Sequence, residues 1–297
     1  MKAITEQALC FDCEGERLIG VLAAPADSAA AVGVVIAVGG PQVRVGSHRQ
    51  FLLLSRRLAG AGHAVLRFDV RGMGDATGDF PGFESLGPDL AAAVAALRQA
   101  VPGVARVVLW GLCDAASAAL IHGPSLQGVD GMVLLNPWAR HADTVVRTQV
   151  KHYYAKRALD RAFWQKLLTG RVNILRSTGE LAGKLWHMLS RRLRATATGA
   201  TVSADLPLDY RERMARGALR FHGPQLYILS GRDHVCAEFL DYARDHAGLA
   251  RLWERATVQR LDMPQADHTF SSARWRGEVE AATLQWLQQL THARGPA

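Results

Sequence analysis

Short apolar runs alternate with longer helical patterns along most of the chain. Two runs at 6–12 and 16–23 predict an N-terminal hairpin that turns at Glu14-Gly15-Glu16. Further strand-like runs lie at 32–40, 64–70, 106–111, 131–136, 225–231 and 257–263, and helical patterns lie at 47–60, 87–100, 114–122, 235–246 and 272–291. Strands that are apolar along their whole length and alternate with helices are typical of a parallel sheet covered on both faces. The pattern therefore predicts an α/β fold.

The alternation breaks once, between Asn136 and Gly223. The intervening sequence has helical patterns and carries most of the positive charge, with 17 Lys or Arg against 6 Asp or Glu in residues 138–220. The whole chain has a net charge of +8, so the rest is close to neutral. These observations predict an α/β core domain formed by 1–136 and 224–297, interrupted at 137–223 by a basic helical cap.

Composition is that of a globular protein, with 297 residues of which 49% are hydrophobic and 21% charged. The N-terminal sequence lacks the apolar stretch of a signal peptide, and the longest apolar run, near 29–38, is too short to span a bilayer. The four cysteines, Cys10, Cys13, Cys113 and Cys236, suit a reducing compartment. We therefore expect a cytoplasmic protein, and we interpret the C-x-x-C at Cys10 and Cys13 as two ordinary thiols.

Candidate chemistry lies directly after the predicted strands. The stretch VVLWGLCDAASAAL (107–120) predicts a strand, a tight turn and a helix with Cys113 at the bend. Cys113, Asp233 and His268 then follow in the order nucleophile, acid, histidine, which is typical of α/β-hydrolases. We predict that Cys113 is a nucleophile, that His268 is its base and that Asp233 orients the imidazole. The alternatives are a buried structural cysteine at this bend, His234 as the base and Asp267 as the acid.

Two backbone amides are expected to bind the oxyanion of an acyl-transfer reaction. The amide of Asp114, at the start of the helix, is one. The second should come from the loop after 32–40, where Pro41 has no N–H, so Gly40 is preferred and the Gln42 side chain is an additional donor. The alternative is that this glycine-rich loop is only a turn.

Cationic side chains open the next helical segment. Arg44, His48 and Arg49 are predicted near the mouth of the site, where they would bind an anionic substrate. They fit a solvated helix start equally well. The stretch FDVRGMGD, with Asp69 and Arg71, is predicted to brace the loops beneath the nucleophile.

Longer motifs carry a family resemblance. The segments GGPQVRVGSHRQF, VLRFDVRGMGD, WGLCDAASAAL, LLNPWAR and KHYY resemble the exosortase A system-associated hydrolase 1 family of the α/β-hydrolase superfamily. The cysteine nucleophile is similar to that of dienelactone hydrolases. The resemblance implies an α/β-hydrolase fold, a Cys–His–Asp triad, and a bacterial cytoplasmic hydrolase encoded beside exopolysaccharide and protein-sorting genes.

Together these features predict a hydrolase, or an acyltransferase, that acts on an ester or thioester through an acyl-enzyme on Cys113. The substrate is expected to be a small or carrier-bound molecule, with an anionic group as one option. A binding protein on a hydrolase scaffold is the alternative from another class.

The histidines show no metal-ligand spacing, so no cofactor is expected. Nucleic acid is not expected because no recognition motif is visible. An apolar stripe in the cap is expected to pack on the core, with an anionic membrane surface as the alternative; it is formed by Leu181, Leu185, Met188 and Leu189. The sequence does not indicate the oligomeric state.

Overall fold

An eight-stranded sheet forms the centre of the protein. The computed structural model describes residues 3–26, 30, 32–40, 42–140 and 209–292. The strands are β1 (Ile4–Cys13), β2 (Glu16–Pro25), β3 (Val32–Ala37), β4 (Ala64–Asp69), β5 (Arg106–Leu112), β6 (Val129–Leu135), β7 (Gln225–Ser230) and β8 (Val258–Met263). They are arranged in the order β1-β2-β4-β3-β5-β6-β7-β8, with β2 antiparallel to both neighbours and all other pairs parallel. The predicted α/β-hydrolase fold with a mostly parallel sheet is confirmed.

Helices cover both faces of this sheet. They are α1 (Gln50–Gly60), α2 (Gly87–Ala100), α3 (Asp114–His122), α4 (Tyr210–Arg220), α5 (His234–Asp245) and α6 (Ala273–His292), with 3₁₀ turns at Ser47–Arg49, Phe83–Ser85, Gly123–Ser125 and Leu249–Glu254. Side chains of α1 and α6 share one core layer with Val34 and Ile36 of β3, whereas Val35 joins the layer formed with α2, α3, α4 and α5. The central strands are thus buried on both faces, which explains their uninterrupted apolar sequence.

The N-terminal hairpin closes where the sequence predicts. Cys13 pairs with Glu16, and the two turn residues, Glu14 and Gly15, have φ values of 51° and 86°. Positive φ at both positions matches the right-handed twist of the paired strands. Cys10 is exposed and Cys13 is buried. Because residues three apart on a strand point to opposite faces, these two thiols lie on opposite sides of β1.

The described part of the predicted cap range packs with the core. Residues 1–139 and 209–297 form one compact unit, so α4 belongs to it although it lies within 137–223. Met214, Ala215 and Ala218 of α4 are buried. A Cβ atom on Gly217 would stand 1.8 Å from the carbonyl oxygen of Leu120, so α4 approaches α3 backbone to backbone. The other cap predictions, including the stripe at 181–189, fall outside the described residues.

Within the described ranges, none of the helices combines the length and the apolar character needed to cross a bilayer.

Candidate active site

A strained turn between β5 and α3 presents Cys113. Its backbone has φ 63° and ψ −126°, a conformation that is costly for a residue with a side chain. Gly111 is required beneath the turn, since a Cβ there would lie 2.8 Å from the backbone of Ala115. The Cys113 amide donates to Leu135 O of β6 at 2.9 Å. The turn is therefore held to the sheet, and the half-buried thiol stands at the carboxyl end of β5.

His268 and Asp233 form a hydrogen-bonded pair beside this thiol. The distance from His268 Nδ1 to Asp233 Oδ2 is 2.7 Å, and the Cys113 side chain lies near the same imidazole. The Asp233 bond and the contact with Cys113 raise the pKa of His268 to about 10. The imidazolium is thus the stable form at neutral pH. The structure brings together the three residues that the sequence places after β5, β7 and β8.

Asp233 is fixed by the helix that follows it. Its side chain is 4% exposed and caps α5, where it accepts from the amides of Val235 at 3.0 Å and Cys236 at 3.2 Å. A cap of this kind satisfies helix amides that have no partner within the helix. The Ser230 hydroxyl lies 3.4 Å from Oδ2. These contacts hold the carboxylate facing the imidazole.

The alternative acid and base lie beside this pair in different environments. His234 is the exposed first residue of α5. Asp267 accepts from the amide of Ser271 at 2.9 Å and from its hydroxyl. Burial acts to raise the pKa of Asp267, but the Ser271 bonds and the charge of His48 bring it below its ordinary value. In this arrangement Asp233, and not Asp267, contacts the His268 ring.

Asn136, directly after β6, links the histidine loop to the sheet. It is fully buried, with φ 43°. Its Oδ1 accepts from the Ser230 amide at 2.9 Å, and its Nδ2 donates to the His268 carbonyl at 3.0 Å. Sequence reasoning gave this residue no role. The available signal was an amide side chain at the end of a buried strand, at the edge where the other site residues gather.

The loop after β3 lies against the Cys113 turn. Ala37 pairs with Gly111 in the sheet, so the residues that follow each of them are neighbours. The Gly40 amide donates to Asp114 Oδ1 at 2.7 Å, and a Cβ on Gly39 would lie 2.2 Å from the same oxygen. Burial raises the pKa of the Asp114 carboxyl, although the N–H groups of Gly40, Ala115 and Asp114 itself bind it. The Gly40 amide, preferred from sequence as an oxyanion donor, is thus occupied by a carboxyl of the protein.

Gln42 is fixed by two hydrogen bonds in the same loop. Its backbone amide donates to Gly40 O at 2.8 Å, and its Oε1 accepts from the Ser47 amide at 3.0 Å. Because a backbone N–H needs an acceptor, Oε1 and not Nε2 must face the Ser47 amide. No described residue accepts a hydrogen bond from Nε2.

The three predicted substrate-binding cations differ in their surroundings. Arg44 is held by carboxylates: its amide donates to Asp69 Oδ1 at 2.6 Å, and its guanidinium pairs with Asp69 and, at 2.6 Å, with Asp75. It therefore joins the loops that follow β3 and β4. His48 and Arg49 are exposed, with φ values of 54° and 60°. The charge of His48 helps to lower the pKa of Asp267.

Asp69 and Arg71 brace the loop after β4, as the sequence predicts. Asp69 is fully buried and also accepts from the Asp75 amide at 3.1 Å. Arg71 binds buried Asp89 through Nε at 3.0 Å and Nη2 at 2.8 Å. Charged side chains beneath the site are therefore paired within the protein.

A second nucleophilic side chain, that of Ser117, follows the Cys113 turn. Ser117, one helical turn after Cys113, is fully buried and donates to Trp138 O at 2.8 Å, so its hydroxyl faces the backbone. Within the described residues, no group of three or more His, Cys, Asp or Glu side chains is arranged to hold a metal ion.

Comparison with known proteins supplies a family. Residues 31–240 match the family model described as "Serine aminopeptidase, S33". The matched range contains Cys113 and Asp233 and ends before His268. No curated protein matches the chain in sequence.

Solved structures with the same fold are distant in sequence. Esterase Pf2001 of Pyrococcus furiosus superposes with a TM-score of 0.64 at 17% identity, covering 96% of this chain and 91% of its own. XC6422 of Xanthomonas campestris, described as an α/β serine hydrolase without a lid, gives 0.55 at 15%, covering 98% and 97%. A dienelactone hydrolase of Anabaena variabilis gives 0.58 at 14%, covering 96% and 98%. At these identities the likeness concerns the fold.

Proposed function

This chain belongs to the serine aminopeptidase S33 family of α/β-hydrolases, and we propose that it hydrolyses an ester or thioester through an acyl-enzyme on Cys113. The observation that carries the proposal is that a strained turn presents Cys113 beside the hydrogen-bonded pair of His268 and Asp233, at the carboxyl ends of β5, β8 and β7. The relatives named above include a serine hydrolase, whereas the residue at the strained turn here is a cysteine.

The proposed first step forms a thioester bond. The Cys113 thiolate attacks the substrate carbonyl carbon, and the carbonyl electron pair moves onto oxygen. When the tetrahedral intermediate collapses, the bond to the leaving oxygen or sulfur breaks, and the His268 imidazolium protonates the leaving group. The alcohol or thiol departs, and Cys113 carries the acyl group.

The proposed second step regenerates the enzyme. Neutral His268 takes a proton from water, and the resulting hydroxide attacks the acyl carbon. The carbon–sulfur bond then breaks, which releases the carboxylic acid and returns the thiolate beside an imidazolium. Asp233 favours the imidazolium in both steps because its carboxylate binds Nδ1. If a hydroxyl of another molecule replaces water, the same intermediate gives acyl transfer.

Substrate preference follows from the leaving group. A thiolate forms an acyl-enzyme readily from a thioester or an activated ester, but an amide requires protonation of a poor leaving group as the bond breaks. We therefore propose esters and thioesters rather than peptides, although the family description names an aminopeptidase. The link to exopolysaccharide and exosortase systems rests on the motif resemblance and is part of the proposal, as is a cytoplasmic location.

The test compares Cys113→Ala with Cys10→Ala, which removes an exposed thiol on β1. Wild type and Cys10→Ala should hydrolyse p-nitrophenyl esters and acyl thioesters at equal rates, and Cys113→Ala should be inactive. Acid quenching during turnover should leave an acyl adduct on the peptide that contains Cys113, detected by mass spectrometry. Equal turnover by Cys113→Ala would reject the nucleophile. Absence of turnover by wild type on both substrate classes would favour a binding protein on this scaffold.

A further inference from the structure

One carboxylate oxygen of Asp233 accepts hydrogen bonds from several donors. His268 Nδ1 lies 2.7 Å from Oδ2, the Cys236 amide donates to the same oxygen at 3.2 Å, and the Ser230 hydroxyl donates to it at 3.4 Å. The other oxygen, Oδ1, accepts from the Val235 amide at 3.0 Å. Backbone amides are supplied by any residue except proline. The Ser230 hydroxyl, in contrast, depends on which side chain the sequence places at the end of β7.

Ser230 is held firmly in this position. It is the last residue of β7 and is 3% exposed. Its amide donates to Asn136 Oδ1 at 2.9 Å, and the next amide, that of Gly231, donates to Met263 O at 3.0 Å. The backbone on both sides of the hydroxyl is therefore fixed. Because Asp233 is also buried, solvent screens the bond between the two side chains only weakly.

A second donor on Oδ2 weakens the attraction of that oxygen for the His268 proton. A hydrogen bond to a carboxylate stabilises its negative charge, and the O–H dipole directs its positive end toward the same oxygen. The bond to Asp233 is the largest cause that raises the pKa of His268 to about 10. A hydroxyl that shares Oδ2 therefore limits this rise. It leaves the imidazolium a stronger acid toward a leaving group.

Other ionisable groups also face this pair. They are Cys113 on the strained turn, Asp114 of α3, Cys236 of α5 and Asp267 beside the imidazole. Cys113 acts to raise the pKa of His268, and burial acts to lower it. Burial raises the pKa of the Cys236 thiol to about 12, so this thiol is neutral. All these side chains stay in place when Ser230 is replaced, so a change in the His268 pKa reports the hydroxyl.

We propose that Ser230 is a positioning residue whose hydroxyl shares Asp233 Oδ2 with His268 and so sets the acid strength of the imidazolium. This inference rests on the proposed acyl-enzyme mechanism, in which that imidazolium protonates the leaving group. Ser230 acts through the carboxylate and does not contact the reacting atoms.

The first test measures the pKa of His268 by NMR in protein labelled with ¹³C at histidine Cε1, without substrate. His268→Gln identifies the signal among the 11 histidines. Ser230→Ala should raise this pKa, by less than the roughly 1–3 units that a full charge within 4–6 Å produces. Ser230→Thr keeps the hydroxyl and should titrate as wild type does. Ser55→Ala is the matched control, because it removes a buried hydroxyl that donates to Leu52 O at 2.9 Å within α1.

The second test asks whether the reaction uses this effect. An alkyl alcohol must be protonated as it leaves, whereas p-nitrophenolate departs without a proton. With the weaker imidazolium acid of Ser230→Ala, the ratio of kcat/KM between an alkyl ester and the p-nitrophenyl ester of the same acid should fall. The expected fall is about threefold per pH unit of the pKa shift when the proton is half transferred in the transition state. Ser230→Thr and Ser55→Ala should keep the wild-type ratio.

An unchanged or lower His268 pKa in Ser230→Ala would overturn the inference. Thermal unfolding shows whether each variant folds, and Ser230→Cys, which puts a weaker donor at the same place, decides the sign of the shift if Ser230→Ala does not. A raised pKa with an unchanged ester ratio would also overturn it, provided that wild type forms the acyl adduct on Cys113. If wild type forms no adduct and Cys113→Ala stays active, the proposed mechanism fails, and the role of Ser230 in the reaction fails with it.

Discussion

Three side chains at the ends of three strands carry the proposed chemistry, and each is held by a contact outside the trio. Asp233 caps α5, the Cys113 amide is bound to β6, and the His268 carbonyl is bound by Asn136. Each constraint limits rotation of a reacting group. Because these groups are already positioned in the folded protein, less entropy is lost when the transition state forms.

The carboxylate of Asp233 should set the alkaline limit of activity. Its hydrogen bond is the largest cause that raises the pKa of His268 to about 10, so the imidazolium that protonates the leaving group persists up to that pH. Asp233→Asn should lower this pKa, because the charged partner is lost. The alkaline limb of kcat/KM should therefore move to lower pH, and kcat should fall roughly 10²–10⁴-fold.

Asp267→Asn is the matched control for that pH profile, since Asp267 neighbours the same histidine but binds Ser271. Its alkaline limb should stay in place. If the alkaline limb moved in Asp267→Asn and not in Asp233→Asn, Asp267 would be the orienting acid and the assignment to Asp233 would be wrong.

Asn136 should be needed for activity as well as for stability. Asn136→Asp puts an oxygen where Nδ2 donates to the His268 carbonyl, so a bond is replaced by repulsion between two acceptors. Leaving a buried polar group without its partner costs about 1–3 kcal/mol. We expect a lower midpoint in urea unfolding and a lower kcat, because the histidine loop loses its tie to the sheet. A loss of stability with wild-type kcat would restrict Asn136 to a structural role.

The sequence was enough to place Cys113, Asp233 and His268 at one sheet edge. Each residue follows a predicted parallel strand, and the carboxyl ends of parallel strands lie at the same edge. It could not find the roles of the Asp114 and Asn136 side chains. Their hydrogen bonds go to residues 74 positions and 132 positions away, and such pairings depend on the exact register of neighbouring strands. Arg44 illustrates the same limit, since its charge is taken up by Asp69 and Asp75 of another loop.

At the scale of elements, buried parallel strands were predictable and α4 was not. Runs such as 32–40 are apolar throughout because both faces of β3 are covered, and they stand out in any sequence. The helix α4 instead has the basic composition of the segment before it. Three of its four arginines are paired in the fold: Arg211 with Asp209, Arg213 with Glu84, and Arg216 with Glu212. Because α4 is as basic as the residues before it, its composition placed it within the predicted cap range 137–223.

The contact between α4 and α3 can be tested with two glycines in helices. Gly217→Ala puts a Cβ 1.8 Å from the Leu120 carbonyl oxygen, so the helices must separate. Overpacking of this kind costs about 1–3 kcal/mol. Gly277→Ala in α6 meets nothing within 4 Å and should stabilise by about 0.5–1 kcal/mol, because alanine suits a helix interior better than glycine.

Urea unfolding of both glycine variants gives the comparison directly. The midpoint should fall for Gly217→Ala and rise for Gly277→Ala. If both variants were stabilised, α4 would not pack on the α3 backbone.

At the scale of the whole molecule, charge should influence which substrates are captured. The chain has a net charge of +8, His48 and Arg49 are exposed, and the charge of His48 helps to lower the pKa of Asp267, the residue before His268. A positive field raises the rate of encounter with anions, and added salt screens it. For a p-nitrophenyl ester with a terminal carboxylate, kcat/KM should therefore fall as ionic strength rises. A neutral ester of the same chain length should show little dependence.

Arg49→Ala and Arg251→Ala separate a local effect from the overall field. Both remove one exposed cation, but Arg251 lies on the Leu249–Glu254 turn and pairs with Glu254 at 3.8 Å. If Arg49 meets the anionic group, Arg49→Ala should reduce the ratio of kcat/KM between the anionic and neutral esters roughly 10–150-fold, which corresponds to the about 1.5–3 kcal/mol that hydrogen bonds to charged groups contribute. Arg251→Ala should change that ratio only slightly. Equal effects of the two variants would attribute the preference to net charge, and equal salt dependence of the two esters would remove electrostatic selection altogether.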